Sequence, residues 1–311
     1  MHLYLPVALT SINILVPVGL GLAVGLLSGL FGVGGGWLMT PLLIMFGIPS
    51  TVAAATDSNQ IVAASSSGTY AHWKVGNVDF KMGAYLLVGG FTGGLFGVQA
   101  MKILKATGNA DFVIKMTYVI MLGIIGTYMF YESFSSMKKK KAPAAADASK
   151  AKPASESGMV RFLASLPLQS RFEKSGVTHS LIVPIFFGWI VGVLAAVMGV
   201  GGGFLMVPVM VYILRMPMHV VVGTSLFQIL FTCIEVTFLQ AYTNHTVDFV
   251  LAVLLLLGST LGAQVGTYFG RKLKADQLKI LLAAIALIVT VKMIFDLTLT
   301  PSLLLGMGGG H

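Results

Sequence analysis

The amino-acid sequence predicts an all-α polytopic membrane protein made of two inverted repeats, each with five hydrophobic segments and a broken or re-entrant helix at a duplicated GVGGG motif. Three observations lead there. Of 311 residues, 20 are Lys or Arg and 11 are Asp or Glu, well under the roughly 25 per cent charge that covers a soluble domain. Hydrophobic types make up 56% and the mean hydropathy is +0.89. Residues 1–56, 82–101, 175–214, 216–234 and 249–270 contain no Asp, Glu, Lys or Arg, and a helix crossing a hydrocarbon core of about 30 Å needs about 20 such positions. The third observation is that the two halves of the chain align with one another.

Charge gaps, Gly and Pro breaks and polar turns delimit ten segments: 12–31, 36–47, 51–72, 83–101 and 113–131, then 181–198, 203–214, 219–241, 250–270 and 278–297. They give an N-terminal transmembrane repeat over 1–131, a basic linker over 132–180 and a C-terminal transmembrane repeat over 181–311. Within the linker, Lys138 to Lys141 and the Ala/Pro/Ser/Lys-rich run to Gly158 have too little hydrophobicity to pack and predict disorder. Residues 159–174 mix apolar and basic positions around Pro167. They read as an amphipathic piece on an anionic membrane surface or as a solvated loop. No basic stretch precedes the first apolar segment, so a cleavable signal peptide is not expected.

The repeat is read from Gly25–Leu43 against Gly192–Met210, identical at ten of nineteen positions. Pro49, Thr56 and Gln60 then match Pro217, Thr224 and Gln228, and Val78-Asp79-Phe80 matches Val247-Asp248-Phe249. With the linker in the cytoplasm, sixteen of the 20 basic residues fall inside, Lys74, Lys81, Arg171, Lys174 and Arg215 among them. Lys102, Lys105 and Lys115 fall outside. Both termini come out external and the halves inverted, the arrangement of secondary transporters with a site near the midplane.

The two GVGGG runs, Gly32–Gly36 and Gly199–Gly203, each stand between a long apolar helix and a piece too short to span. Four glycines in five residues break a helix where protein or water must satisfy the backbone. Each break is expected to leave a half-helix start with free N–H groups and a positive dipole end toward an anion; a tight turn between packed helices is the alternative. Polar side chains continue the pattern. Thr56, Asn59, Gln60, Ser66 and Ser67 lie together in the third segment, and Thr224, Ser225, Gln228, Thr232 and Glu235 in the eighth, as if lining one shared cavity. The substrate-binding candidates are therefore Gly34, Gly35, Gly36, Thr56, Asn59, Gln60, Gly201, Gly202, Gly203, Thr224, Ser225 and Gln228.

Asp57 and Glu235 are candidates for proton coupling, with helix capping the alternative for Asp57. Lys292 is a conceivable ion partner for Glu235, though snorkelling to the interface is its plainer role. The single Cys233 excludes a disulfide framework, and the six histidines show no H-x-x-x-H or comparable metal spacing. Neither a metal nor a cofactor is expected, nor an enzyme, since no catalytic constellation appears. Basic residues placed between apolar segments argue membrane orientation rather than nucleic-acid binding. Glycines repeating every four residues, Gly21, Gly25 and Gly29 and Gly89, Gly93 and Gly97, predict close helix packing inside one protomer, with a homodimer the other possibility.

The paired blocks Ser28–Pro41 and Ala195–Pro208, reading G-x-x-x-G-x-G-G-G-x-L-x-x-P with the first glycine replaced, resemble the sulfite exporter TauE/SafE family of bacterial membrane permeases. So does the A-T-x-x-x-Q-I-V-A run at Ala55–Ala63. The resemblance implies a multi-pass inner-membrane exporter of small sulfur-containing anions, sulfite or organosulfonates of the sulfoacetate class. The long basic linker departs from compact members. A passive anion channel or a membrane-embedded scaffold are the competing readings.

Overall fold

The computed structural model describes residues 2–31, 36–139, 167–270 and 275–298. Among these, ten helices follow the ten predicted segments: α1 Leu15–Phe31, α2 Gly36–Met45, α3 Ser50–Lys74, α4 Phe80–Ala106, α5 Ala110–Lys139, α6 Ile182–Met198, α7 Gly203–Pro208, α8 Met218–Leu239, α9 Phe249–Gly270 and α10 Ala275–Thr298. The chain is a helical membrane protein. Spans Phe80–Ala106, His219–Asn244 and Phe249–Gly266 are long and apolar enough to cross a bilayer by themselves, whereas α2, at 10 residues, reaches only about 15 Å. Pro208 has no N–H with which to close the next helical bond, and after it α7 widens into a π-helical turn over Val209–Ile213.

An all-helical chain is the expectation, and it is corrected at two places. Antiparallel hairpins stand directly before α1 and α6: β1 His2–Leu5 with β2 Thr10–Asn13, and β3 Gln169–Phe172 with β4 Val177–Ser180. Four-residue strands give too short an alternation to read from sequence. The second hairpin begins within the segment read as amphipathic, whose residues 159–166 lie outside the described ones. Each hairpin drives one fully buried apolar side chain into the protein, Leu5 and Phe172 at equivalent positions.

The halves hold together by exchanging helices. α1 packs along α9 of the other half, and α4 packs along α6, its counterpart pairing; α3 packs on α8 and α5 on α10. The glycine rows set the spacing of the first two pairs, and they pack inside the chain. A Cβ on Gly93 would lie 2.1 Å from the Trp189 carbonyl oxygen, and one on Gly262 2.1 Å from that of Leu22. Backbones this close leave no room for a side chain, and without a hydrophobic drive between helices in lipid such contact is what associates them. The larger core lies among α1, α2, α5, α9 and α10, with Trp37, Leu43, Tyr118 and Leu122 inside.

This packing predicts unequal effects of one methyl group. Gly93→Ala should destabilise the detergent-solubilised protein by about 1–3 kcal/mol through overpacking, while Gly19→Ala, with nothing within 4 Å, should change thermal unfolding by less than about 1 kcal/mol or raise it. Equal melting shifts would contradict the role given to the glycine rows.

Candidate substrate and coupling site

The second glycine break is fully visible. α6 ends at Gly199, whose left-handed φ of 73° and position against α3 both demand glycine. A Cβ there would lie 1.9 Å from the Ala54 carbonyl oxygen. Ser58 Oγ donates to the freed Gly199 carbonyl at 3.2 Å, and Tyr118 Oη to that of Met198 at 2.5 Å, so side chains of α3 and α5 satisfy the interrupted backbone. Gly201 and Gly202 are also left-handed, and Gly202 accepts from the N–H groups of Leu205 and Met206 as α7 begins. In the first break, Gly34 and Gly35 lie outside the described residues and Gly36 opens α2.

Both helix starts are covered by isoleucines at equivalent positions. A Cβ on Gly36 would meet Ile61 Cδ1 at 2.2 Å, and one on Gly203 would meet Ile229 Cδ1 at 2.2 Å. Gly201 lies under Ile229 and the thiol of Cys233 in the same way. Ile61, Ile229 and Cys233 form one buried apolar cluster, which fills the space expected for an anion. Sequence reasoning missed this plug, although each isoleucine follows a matched glutamine.

Gln60 and Gln228 are both buried, and the Oε1 atom of each lacks a hydrogen-bond partner among the described residues. Gln228 Nε2 donates to Thr232 Oγ1 at 3.2 Å, and the two side chains face Gly90 of α4. No hydrogen bond joins Gln60 to Gln228 among the described residues. Asn59 is half-buried beside Gln60, and Ser225 Oγ returns to the Val222 carbonyl at 3.0 Å. The buried isoleucine cluster thus lies beside the glutamines of both stripes. Ser66 and Ser67, farther along α3, are exposed.

Thr56 and Thr224 serve a second duplicated arrangement. The backbone N–H of Asp248 donates to Thr56 Oγ1 at 3.1 Å, and that of Asp79 donates to Thr224 Oγ1 at 3.0 Å. Each aspartate also caps the helix it precedes, accepting from Leu251 N at 3.1 Å and from Met82 N at 3.0 Å. Its other oxygen holds a hairpin turn: Asp248 accepts from Val7 N at 3.1 Å, and Asp79 accepts from Ser175 N at 3.1 Å and Ser175 Oγ at 2.5 Å. Each clamp thus ties a hairpin, a helix start and the first residue of a polar stripe. The repeated Val-Asp-Phe was the signal for it.

Asp57 is fully buried in the second turn of α3, away from the cap position held by Pro49. Thr40 Oγ1 of α2 donates to its Oδ2 at 2.9 Å, while its Oδ1 has no hydrogen-bond partner among the described residues. Ser225 and Val207 stand at the equivalent positions of the other half, so the pair is not duplicated. Glu235 on α8 is half-buried. Its Oε2 is enclosed without a hydrogen-bond partner among the described residues, 2.9 Å from where a Gly94 Cβ would sit. Lys292 is exposed on α10, and no ion pair joins it to Glu235 among the described residues.

Helix breaks, buried amide and carboxyl groups and a mirrored set of clamps stand within one helical membrane bundle, and the family this chain matches makes it a membrane transporter. The sequence matches the family described as Sulfite exporter TauE/SafE over residues 18–293, and the chain belongs to that family. A protein of Bacillus subtilis named "Probable membrane transporter protein YjnA" is 27% identical over 276 residues, 88% of this chain and 97% of its own length. Another from that organism, "Probable membrane transporter protein YunE", is 25% identical over 90% of this chain and 96% of its own. "Sulfite exporter TauE/SafE family protein 1" of Arabidopsis thaliana is 31% identical over 35% of this chain and 24% of its own. No solved structure matches.

Asp79→Ala would leave the buried N–H groups of Met82 and Ser175 without an acceptor, at a cost of about 2–3 kcal/mol. Thermal unfolding should show that loss, with only part of it recovered in Asp79→Asn, whose amide keeps one acceptor oxygen and replaces the other with a donor. An unchanged melt in Asp79→Ala would contradict the clamp.

Proposed function

We propose that this protein is a secondary transporter that exports a small sulfur-containing anion, sulfite or an organosulfonate of the sulfoacetate class, across a bacterial inner membrane. Membership of the family over residues 18–293 carries the reading. The two halves act as inverted repeats, supported by the exchanged helix pairs α1 with α9 and α4 with α6 and by the mirrored clamps. Val7 before α1 and Thr56 early in α3 both bond Asp248, which supports reading α1 and α2 as a hairpin that enters and leaves by one end. The termini are then periplasmic and the linker cytoplasmic.

The anion sits between the two glycine breaks, accepting from backbone N–H groups and from Asn59, Gln60, Gln228, Thr56, Thr224 and Ser225. Ile61 and Ile229 must withdraw to admit it, so the conformation described is closed around its centre. Opening one clamp while the other holds exposes the site to one side at a time. Proton movement couples to this through Asp57, which accepts from Thr40 Oγ1, or through Glu235. A passive channel is the second reading, favoured by the apolar Ile61–Ile229–Cys233 plug, which resembles a hydrophobic constriction.

The substrate is tested by thermal shift with sulfite, sulfoacetate, isethionate, taurine, sulfate and acetate. A ligand at 100 times its Kd stabilises the folded state by about 2.7 kcal/mol. A rise selective for one sulfur anion, lost in Gln60→Ala with Gln228→Ala, is expected; a flat panel contradicts the assignment. In proteoliposomes with an imposed proton gradient, Asp57→Asn or Glu235→Gln should abolish concentrative movement. If both variants still accumulate the anion, the coupling role is wrong, and if the unsubstituted protein never concentrates it, the channel reading replaces the carrier.

A further inference from the structure

The two clamps are alike in backbone and hydrogen bonding but unlike in what surrounds them. Around Asp79 lies a cavity of about 490 Å³, lined by Trp73, Phe80, Lys81, Arg171, Glu173 and Lys174 among others. Lys81 Nζ donates to the Arg171 carbonyl at 3.0 Å and lies 5.5 Å from the centroid of the Phe172 ring, so its charge is held in place. Lys174 Nζ is 3.8 Å from the Cβ position of Gly76, bringing the hairpin cation up to the α3–α4 loop. At the other end the equivalent positions of Arg171, Lys174 and Lys81 are Tyr4, Val7 and Val250, and that of Glu173 is Pro6.

The fold builds the same clamp without those cations, so folding does not require them. Orientation does not require them here either, since Lys138 to Lys141 already supply a basic cytoplasmic run. The cavity holds two acids. Asp79 is engaged by three hydrogen bonds with the chain, and Glu173 is exposed. Three cations and two acids therefore line one recess, leaving one positive charge in excess where the other end has none of these cations, and its Asp79 bonds through its N–H to Thr224, one turn before Gln228.

We infer that this cavity is a recruitment site for a small oxyanion, present at one mouth of the protein and absent from the other. The inference rests on the transporter reading for its purpose, but the binding itself does not. Cations around a recess raise the local concentration of an anion, which gives an otherwise two-fold carrier a preferred loading end. A free sulfur anion and the phosphate of an anionic lipid share the chemistry the site recognises.

Trp73 lines the cavity and reports on it. Trp37 is buried, and Trp189 lies in α6 against α4. Full-length protein in phosphatidylcholine nanodiscs is titrated with iodide and, separately, with neutral acrylamide, following tryptophan emission against a Trp73→Phe control. Iodide quenching should fall on the order of five- to tenfold in Lys81→Gln/Arg171→Gln/Lys174→Gln, with acrylamide quenching unchanged and quenching retained in Lys81→Arg/Arg171→Lys/Lys174→Arg. Millimolar sulfite should protect Trp73 from iodide in the unsubstituted protein, a reading that needs no variant to fold. If lipid phosphate is the occupant, adding phosphatidylglycerol protects and sulfite then adds nothing. Iodide quenching that ignores the three charges, or that neither sulfite nor phosphatidylglycerol lowers, overturns the inference. Because no flux is measured, retained Trp73 protection alongside a lost Gln60 and Gln228 effect would contradict only the central-site reading.

Discussion

Everything in this structure depends on four helices lying backbone against backbone. α1 against α9 and α4 against α6 approach so closely that the carbonyl oxygens of Leu22, Leu26, Trp189 and Gly90 occupy the space where side chains would begin on the facing glycines. Since each pair takes one helix from each half, neither half can close its core alone. The same crossings leave α3 and α8, which carry the polar stripes, packed on each other at the centre. They also place the second GVGGG break where α3 and α5 side chains satisfy the freed carbonyls. In lipid those carbonyls have no water to turn to.

From that frame the clamps follow. An aspartate that caps α4 or α9 sits where a hairpin turn and the first threonine of a polar stripe meet, so one side chain couples the surface of the protein to the start of its buried polar path. A symmetrical scaffold is an economical basis for alternating access, because one set of contacts serves both ends. The halves depart from symmetry at Asp57 with Thr40, where the other half has Ser225 and Val207, at Glu235 with Gly94, where it has Ser67 and Ala263, and at the cations around Asp79, and the proposed coupling and recruitment roles fall on these departures.

Much of the fold was legible in the sequence because membrane physics is strict. A helix has to be apolar over its full crossing, so charge gaps located the ten segments, and glycines spaced by four announced the close pairs. The hairpins were hidden because β1 and β3 are four residues long, and β3 follows a low-complexity stretch that masks any alternation. Gln60 and Gln228 stood out as amides in apolar helices. Ile61 and Ile229 did not, since an isoleucine in a membrane helix carries no signal until its contacts with Gly36 and Gly203 are seen. Thr56 and Thr224 read as cavity-lining hydroxyls, yet here each accepts from a backbone N–H group of the other half of the chain, a pairing that only the tertiary fold supplies.

The central claim is that the halves insert in opposite senses, so that the two hairpins lie on opposite faces of the membrane. In a Cys233→Ser background, single cysteines are placed at the exposed turns, Leu9→Cys in the first hairpin and Gly176→Cys in the second. They are then labelled with a membrane-impermeant maleimide in intact cells and in inverted vesicles. Opposite insertion requires Leu9→Cys to label only in intact cells and Gly176→Cys only in inverted vesicles; labelling of both from the same side would contradict it.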